Sequence, residues 1–408
     1  MRFLAYAWAS FRTSQSQLDA SHVSATSLTS RRSLHPHRFH MKFVSRVLHS
    51  VKDFRGTVSV PLASHRLAVK PGQILDSRYQ IIKQLGSGQH STVWLAQSDG
   101  GSKALKILTN VVTALQSKEA FELEVLKNVA SAQSGSSQKR LLQLEDHFNI
   151  HENHVDHLCL VTAPLGPSLL QVCSKLESKR LPPQLVKCVA RQLLEALHVL
   201  HDQCQTVHTD IKPDNIMFST ASLSENEEID LDIIHEINIV LVDFGTAIPP
   251  SGPHSRLIQP VALRAPEVIT GCVWDVKVDI WNLGCIVFEL ITGQHLFKPK
   301  ASATWSAEQY HLARIFGTSY TKPLPPNVMD FFRRGQHFEK YFDDKGLRIS
   351  AEVETMDQIL HVHKAYTPEL YAILTAMLQI LPEARPSAKD LLAFDWLREE
   401  VHTVSEEA

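Results

Sequence analysis

The spacing of apolar and polar positions changes character partway along the 408-residue chain. From Arg78 to about residue 163, apolar residues fall in short strand-like runs. Tyr79–Leu85 (YQIIKQL), Thr92–Gln97 (TVWLAQ) and Lys103–Leu108 (KALKIL) read as strands, the first two flanking a glycine-containing turn. Residues 113–130 carry apolar side chains at helical spacing and predict a helix. LLQLEDHF (141–148) and HLCLVTA (157–163) predict two more strands. After Gly166 the period becomes helical. Long amphipathic helices are predicted over 185–203, over 276–293 with Gly293 as the stop, and over 370–381 closed by Pro382. INIVLV (237–242) is a short apolar strand, and the acidic stretch 219–236 reads as a solvated insertion. Trp281 and Phe288, seven apart on one helix, read as core. No internal repeat is present. The pattern predicts an α+β protein, strand-rich first and helical afterwards.

Composition changes this picture little: 44% hydrophobic and 21% charged residues are ordinary for a globular chain. No apolar run reaches the ~18 residues of a membrane span, so no membrane partner is expected. Charge is more informative. Residues 1–70 carry eleven Lys or Arg against Asp19 and Asp53, a net of +9, which leaves −11 for the remainder. An acidic body argues against direct nucleic-acid binding and suits a basic protein substrate. The Ser- and Arg-rich first 70 residues fit a disordered extension or a mitochondrial transit peptide. Residues 398–408 form an acidic tail. The six cysteines make no CxxC pair and read as reduced thiols.

Four short signals then occur in a fixed order. Gly86-Ser87-Gly88-Gln89-His90-Ser91-Thr92-Val93 is a glycine-containing turn whose backbone N–H groups can face phosphates; a plain hairpin turn is the bland alternative. Ala104-Leu105-Lys106-Ile107 puts a lysine on the following strand. Its partner candidates are Glu119, Glu122 and Glu124, and Glu122 is chosen because it shares a helix face with the apolar Leu126. Val207-His208-Thr209-Asp210-Ile211-Lys212-Pro213-Asp214-Asn215 carries the specific spacing H-x-D-x-K-x-x-N. Val242-Asp243-Phe244-Gly245 follows the apolar strand, and Ala265-Pro266-Glu267 comes next. Glu267 calls for a buried cation, for which Arg385 is the candidate. His147, His151, His154 and His157 are dense enough to raise a metal reading, but no zinc pattern completes it; two strands joined by a polar turn account for them.

This set resembles the eukaryotic protein kinases over residues 79–397, and more closely the SR-protein kinases (SRPK). The resembling segments are PGQILDSRYQIIKQLGSGQHSTVWLA, LVTAPLGPSLL, VHTDIKPDNIMF, IQPVALRAPEVITG and EKYFDDKGLR. The resemblance implies a bilobal kinase fold. A small antiparallel-sheet lobe would span about 79–162, a hinge 163–166 and a larger, mostly helical lobe 167–397. It implies transfer of phosphate from ATP, with Mg²⁺, to Ser in Arg/Ser-rich proteins such as splicing factors. The kinase would be monomeric and work in cytoplasm and nucleus, with mitochondria left open by the basic arm. Leu85, Gly86, Ser87, Gly88, Ser91 and Val93 would surround the nucleotide. Lys106, paired to Glu122, would hold its phosphates. Thr162 would be the gatekeeper, with Ala163 and Leu165 meeting adenine. Asp210 would be the general base, Lys212 would neutralise the moving phosphoryl group, and Asn215 and Asp243 would hold the metal. Asp279 would brace the catalytic loop.

Some positions depart from the pattern. Thr209 replaces the Arg that grips an activation-segment phosphate in many kinases, so activity is expected not to depend on one. Pro260 and Leu263 stand where a Thr and an aromatic are common, which bears on substrate choice. Asp343, Asp344, Glu352, Glu354 and Asp357 are candidates for an acidic groove, or are simply solvated. A scaffold-only pseudokinase would typically lack one of Lys106, Asp210, Asn215 and Asp243, and all four are present. A CLK-type kinase is the neighbouring alternative; Thr209 and the ALRAPE segment favour the SRPK side.

Overall fold

The computed structural model describes residues 64–219, 237–252, 257–319, 324–351 and 353–398. The insertion expected over 219–236 and the acidic tail therefore lie almost wholly outside the described residues. Strands β1 (Ile74–Leu75), β2 (Tyr79–Ser87), β3 (Ser91–Ser98), β4 (Gly101–Leu108), β5 (Asp146–Glu152) and β6 (Val155–Thr162) form one antiparallel sheet in the order β1-β2-β3-β4-β6-β5. Alternation on β4 and β6 sends Leu105, Ile107, Cys159 and Val161 into a small apolar cluster. Leu108, Leu158 and Leu160 go instead into the large core. β6 is buried on both faces from His157 onward, which is why Leu158–Val161 is an unbroken apolar run.

The helix expected over 113–130 is two helices, α1 (Asn110–Leu115) and α2 (Glu122–Ala132). The chain turns back between them. Gln116 leaves helical geometry, Ser117 takes a left-handed φ of 63°, and the Ser117 N–H donates to the Ala120 carbonyl at 2.8 Å. Helical spacing persists across the break because Val112, Phe121 and Leu123 all pack against the same core. The strand expected over 141–148 begins only at Asp146. Ahead of it the chain pairs with a different segment, the Leu142 N–H donating to the Leu241 carbonyl at 3.0 Å. Of the extension expected to be disordered over 1–70, residues 1–63 lie outside the described residues, and the remainder is packed: Leu67 and Val69 are buried in the small cluster.

In the larger lobe α3 (Leu169–Lys175) opens with a Ser168–Gln171 capping box. α4 (Pro183–His198) follows, buries Leu185, Val189, Leu193 and Leu197, and runs on into a single π-turn at Val199–Gln203. Each such leucine contributes about 1.5–3 kcal/mol relative to exposure. β7 (Ile216–Phe218) pairs with β8 (Ile239–Leu241), and α5 (Pro266–Thr270) precedes α6 (Lys277–Thr292). α6 is buried on nearly all sides, Trp281 and Phe288 included. Gly293 caps it at φ 73°, and a Cβ there would stand 2.5 Å from the Ser178 carbonyl oxygen. The last predicted helix spans Pro368–Met377, ending before Pro382, which instead opens a 3-10 turn. No described helix is long and apolar enough to cross a membrane.

Arg385 meets Glu267 as expected, at 2.6 and 2.9 Å, with both side chains fully buried. The guanidinium also donates to the carbonyls of Gln379, Ile380 and Lys277, so all five of its N–H groups are used. All six cysteines are free, and burial pushes each thiol pKa up.

Candidate active site

The glycine turn is tighter than the sequence suggests. Gly86 and Ser87 stay in register with Val93 and Thr92, so only Gly88–His90 lie outside the strands. The Gly88 N–H donates to the Ser91 carbonyl at 3.0 Å. A Cβ at Gly86 or Gly88 would meet no atom within 4 Å, so the protein's own packing does not demand glycine there. Val93 faces Lys106 across β3 and β4, Leu85 is half-buried on β2, and Leu160 faces Lys106 from β6. Thr162, buried at the end of β6, pairs with Ala104; Ala163 is exposed and Leu165 half-buried in the connection to α3.

Lys106 joins the two lobes. Its ammonium lies 2.5 Å from Glu122 Oε1 and 2.8 Å from Asp243 Oδ1. Of the three candidate glutamates Glu122 is thus the partner, placed there because α2 starts at that residue. Burial works against the charge on Lys106, but Asp243 and Glu122 outweigh it and hold its pKa above an ordinary lysine's. Lys106 in turn holds Asp243 well below the usual carboxylate range. The Asp243 side chain is still 46% exposed, so water weakens this pull without reversing it. Burial raises the Glu122 carboxyl and Lys106 opposes the rise. The pair is held ionised, because neutralising either partner would strand the other's charge. Gly245 sits against this cluster, where a Cβ would lie 3.2 Å from Asp243 Oδ1.

The catalytic-loop motif converges on Asp210. Its Oδ2 accepts from Lys212 Nζ at 2.7 Å and Asn215 Nδ2 at 3.1 Å, and its carbonyl accepts from Asn215 Nδ2 at 2.9 Å. Asn215 is tied to the segment leading to Asp243, its carbonyl accepting the Val242 N–H at 2.9 Å. The Oδ1 of Asn215 and the Oδ2 of Asp243 accept no hydrogen bond among the described residues. Two oxygen donors on adjacent segments are the donor set a hard divalent cation takes, so the residues present fit Mg²⁺.

The loop is held from beneath. Asp279, fully buried on α6, accepts from the His208 N–H at 2.8 Å, the Thr209 N–H at 3.0 Å and His201 Nε2 at 2.9 Å. These bonds keep Thr209 at φ 70°, a conformation a β-branched residue resists. The fully buried His208 bonds the Val242 carbonyl through Nε2 and the Asp210 N–H through Nδ1, which assigns the proton to Nε2. Thr209 also ties both flanks of the segment after Asp243. Its hydroxyl donates to the Thr246 carbonyl at 2.9 Å, and its own carbonyl accepts the Gln259 N–H at 3.0 Å.

Sequence reasoning gave no role to His201 or Gln259. His201 reads as one more position of a long helix, and only the π-turn and the crossing of α6 bring it to Asp279. The fourfold histidine run is dispersed: His157 is buried on the Leu108 carbonyl, and His151 pairs with Asp156 at the surface. Of the acidic-groove candidates, Asp344 and Glu354 are exposed, Asp343 and Asp357 half-buried, and Glu352 lies outside the described residues.

The family model for the protein kinase domain matches residues 79–397. The serine/threonine-protein kinase SRPK of Physarum polycephalum is 31% identical over 382 residues, covering 81% of this chain and 88% of that one. The human dual specificity protein kinase CLK1 is 28% identical over 356 residues, covering 82% and 69%. A crystal structure of a kinase domain superposes with a TM-score of 0.63 at 26% identity, covering 82% of this chain and 99% of that one. With two lobes joined through Lys106 and a complete catalytic-loop cluster, the chain belongs to the protein kinase family, as a serine/threonine kinase of the SRPK- and CLK-like type.

Proposed function

We propose that this kinase transfers the γ-phosphoryl group of ATP to serine in Arg/Ser-rich proteins, with Asp210 as the general base. The observation that carries the reading is the ion-pair chain Glu122–Lys106–Asp243, tied through Asn215 to Asp210 and Lys212. Asp210 accepts the proton of the attacking hydroxyl, a role worth about 10²–10⁴-fold in rate. Lys212, already 2.7 Å from Asp210, supplies positive charge beside the transferring group. Lys106 positions the nucleotide phosphates. Asn215 Oδ1 and Asp243 Oδ2 would hold Mg²⁺, which when bound neutralises phosphate charge. The acidic body and the exposed Asp344 and Glu354 favour a basic acceptor. A kinase of this substrate class would work in cytoplasm and nucleus, which imaging of the tagged full chain would test.

Thr209 supports a second element of the reading. Its own hydroxyl and carbonyl bond Thr246 and Gln259, the two flanks of the segment after Asp243. Activity should therefore be unchanged by phosphatase treatment, and a collapse would refute this.

The direct test is transfer from labelled ATP with Mg²⁺ by the full chain. The acceptors are an Arg-Ser repeat peptide, an acidic-site Ser peptide and myelin basic protein, with Asp210→Ala as control. Selective labelling of the Arg-Ser peptide, absent in the control, supports the proposal. Labelling without that preference overturns the substrate class and points to Pro260 and the exposed Val261 beside it.

A further inference from the structure

Residues 64–70 precede the segment matched by the kinase family, yet they are built into the small lobe. Leu67 and Val69 are 6% and 9% exposed, packed in the cluster with Tyr79, Ile81, Trp94 and Leu105. The backbone of His65 is fastened twice to Asn110, the buried first residue of α1. Its N–H donates to Asn110 Oδ1 at 2.7 Å, and its carbonyl accepts the Asn110 N–H at 3.3 Å. Arg66 lies between these anchors. Its guanidinium donates to Ser87 Oγ at 2.9 Å and to the Gly88 carbonyl at 2.5 Å, both on the glycine turn.

The turn is closed by the Gly88 N–H to Ser91 carbonyl bond at 3.0 Å and anchored behind by the Thr109 N–H to His90 carbonyl bond at 2.9 Å, and Arg66 adds a hold on its leading side. Ser87, Gly88, Gln89 and His90 are all exposed, and a Cβ at Gly86 or Gly88 would touch nothing. Glycine-containing backbone loses the most freedom when a ligand orders it. A fork of two charge-assisted bonds from an anchored strap removes part of that freedom beforehand, and it adds a positive charge at a turn meant for polyphosphate.

We propose that residues 64–70 are a strap that sets the phosphate-binding turn, and that Arg66 is a positioning residue for the nucleotide. This rests on the ATP-dependent reading above. The strap acts through the turn: it lowers the ordering cost of binding and leaves proton transfer at Asp210 untouched.

The test compares the full chain with its Arg66→Ala and Arg66→Lys variants. Mg·ATP and ADP affinities are measured by calorimetry, amide exchange is followed at Ser87–Ser91 and across β4 and β6, and KM is separated from kcat. Arg66→Ala should weaken nucleotide binding and raise KM for ATP about three- to tenfold, the size expected of exposed charge-assisted bonds. Exchange should quicken at the turn alone, with kcat and the melting temperature nearly unchanged. Arg66→Lys should fall between, since a single ammonium cannot reproduce the fork. Unchanged affinity and unchanged turn exchange in Arg66→Ala would overturn the proposal. So would faster exchange across the whole sheet, which would mark Arg66 as a general structural residue. If the unaltered chain binds no nucleotide, the functional reading fails, while exchange at the turn still decides whether the strap sets it.

Discussion

Replacing Asp279 with Asn changes one atom and removes one charge, so its consequences can be worked out bond by bond. Asp279 Oδ2 accepts from the His208 N–H and His201 Nε2, and Oδ1 accepts from the Thr209 N–H. An asparagine has one acceptor oxygen. Placed where it serves His208 and His201, it turns an NH₂ group toward the Thr209 N–H, donor against donor. A charge-assisted bond worth about 1.5–3 kcal/mol is lost and a buried N–H is left unpaired. Thr209 sits at φ 70°, a conformation that costs about 1–3 kcal/mol and persists only while it is held. Its release offsets part of the loss, so the net destabilisation should be about 1–3 kcal/mol. Catalysis should suffer more than stability, because Asp210 follows Thr209 directly. A displacement of about 1 Å at the base costs about 10²-fold in kcat. Lys106 and Asp243 are untouched, so KM for ATP should hold. Steady-state phosphorylation with ATP and peptide varied separately, alongside thermal unfolding, would decide it. A kcat within about threefold of the unaltered enzyme would refute the reasoning that Asp279 holds the catalytic loop in place.

Lys106→Met should lower kcat/KM by about 10²–10³-fold, with Glu122→Gln milder because Asp243 still faces the ammonium; steady-state kinetics checks this order. Arg385→Met strands the fully buried Glu267 and should destabilise the fold by about 3–5 kcal/mol, and adding Glu267→Leu should recover most of that in thermal unfolding. His311 is pushed down to about 3 by burial and then by the nearby Arg264 and Arg314. The unfolded chain protonates this histidine as pH falls below 6.5 while the folded chain does not. Stability should therefore drop by up to about 1.4 kcal/mol per pH unit on the way from 6.5 toward 3. His311→Leu should flatten the slope between pH 7 and 5, and an unaltered slope would count against this placement.

Local pattern and motif spacing went far here. The strand-like runs marked β2 and β3, each of which buries one face in the small cluster, and β4 and β6, whose two faces enter different cores. The helical spacing marked α4 and α6, because each buries a continuous apolar surface. The nine residues Val207–Asn215 were recognisable because Asp210, Lys212 and Asn215 meet within one turn of chain, where spacing alone sets geometry. Periodicity could not show the break at Gln116–Phe121, since both helices lean on one core and the apolar rhythm runs across the turn.

What only the tertiary structure decided are the contacts whose partners are far apart in the chain. Lys106 reaches Asp243 across 137 residues, Asp279 takes up the strain of Thr209 from 70 residues away, and Arg66 finds Ser87 from outside the matched domain. Hydrophobic rhythm records which face of an element is covered. It does not record what covers it. Those pairings follow from how the strands and helices cross, so Asp279 and Arg385 could be named in advance as supports, while the bonds they make and the parts played by His201, Gln259 and Arg66 could not.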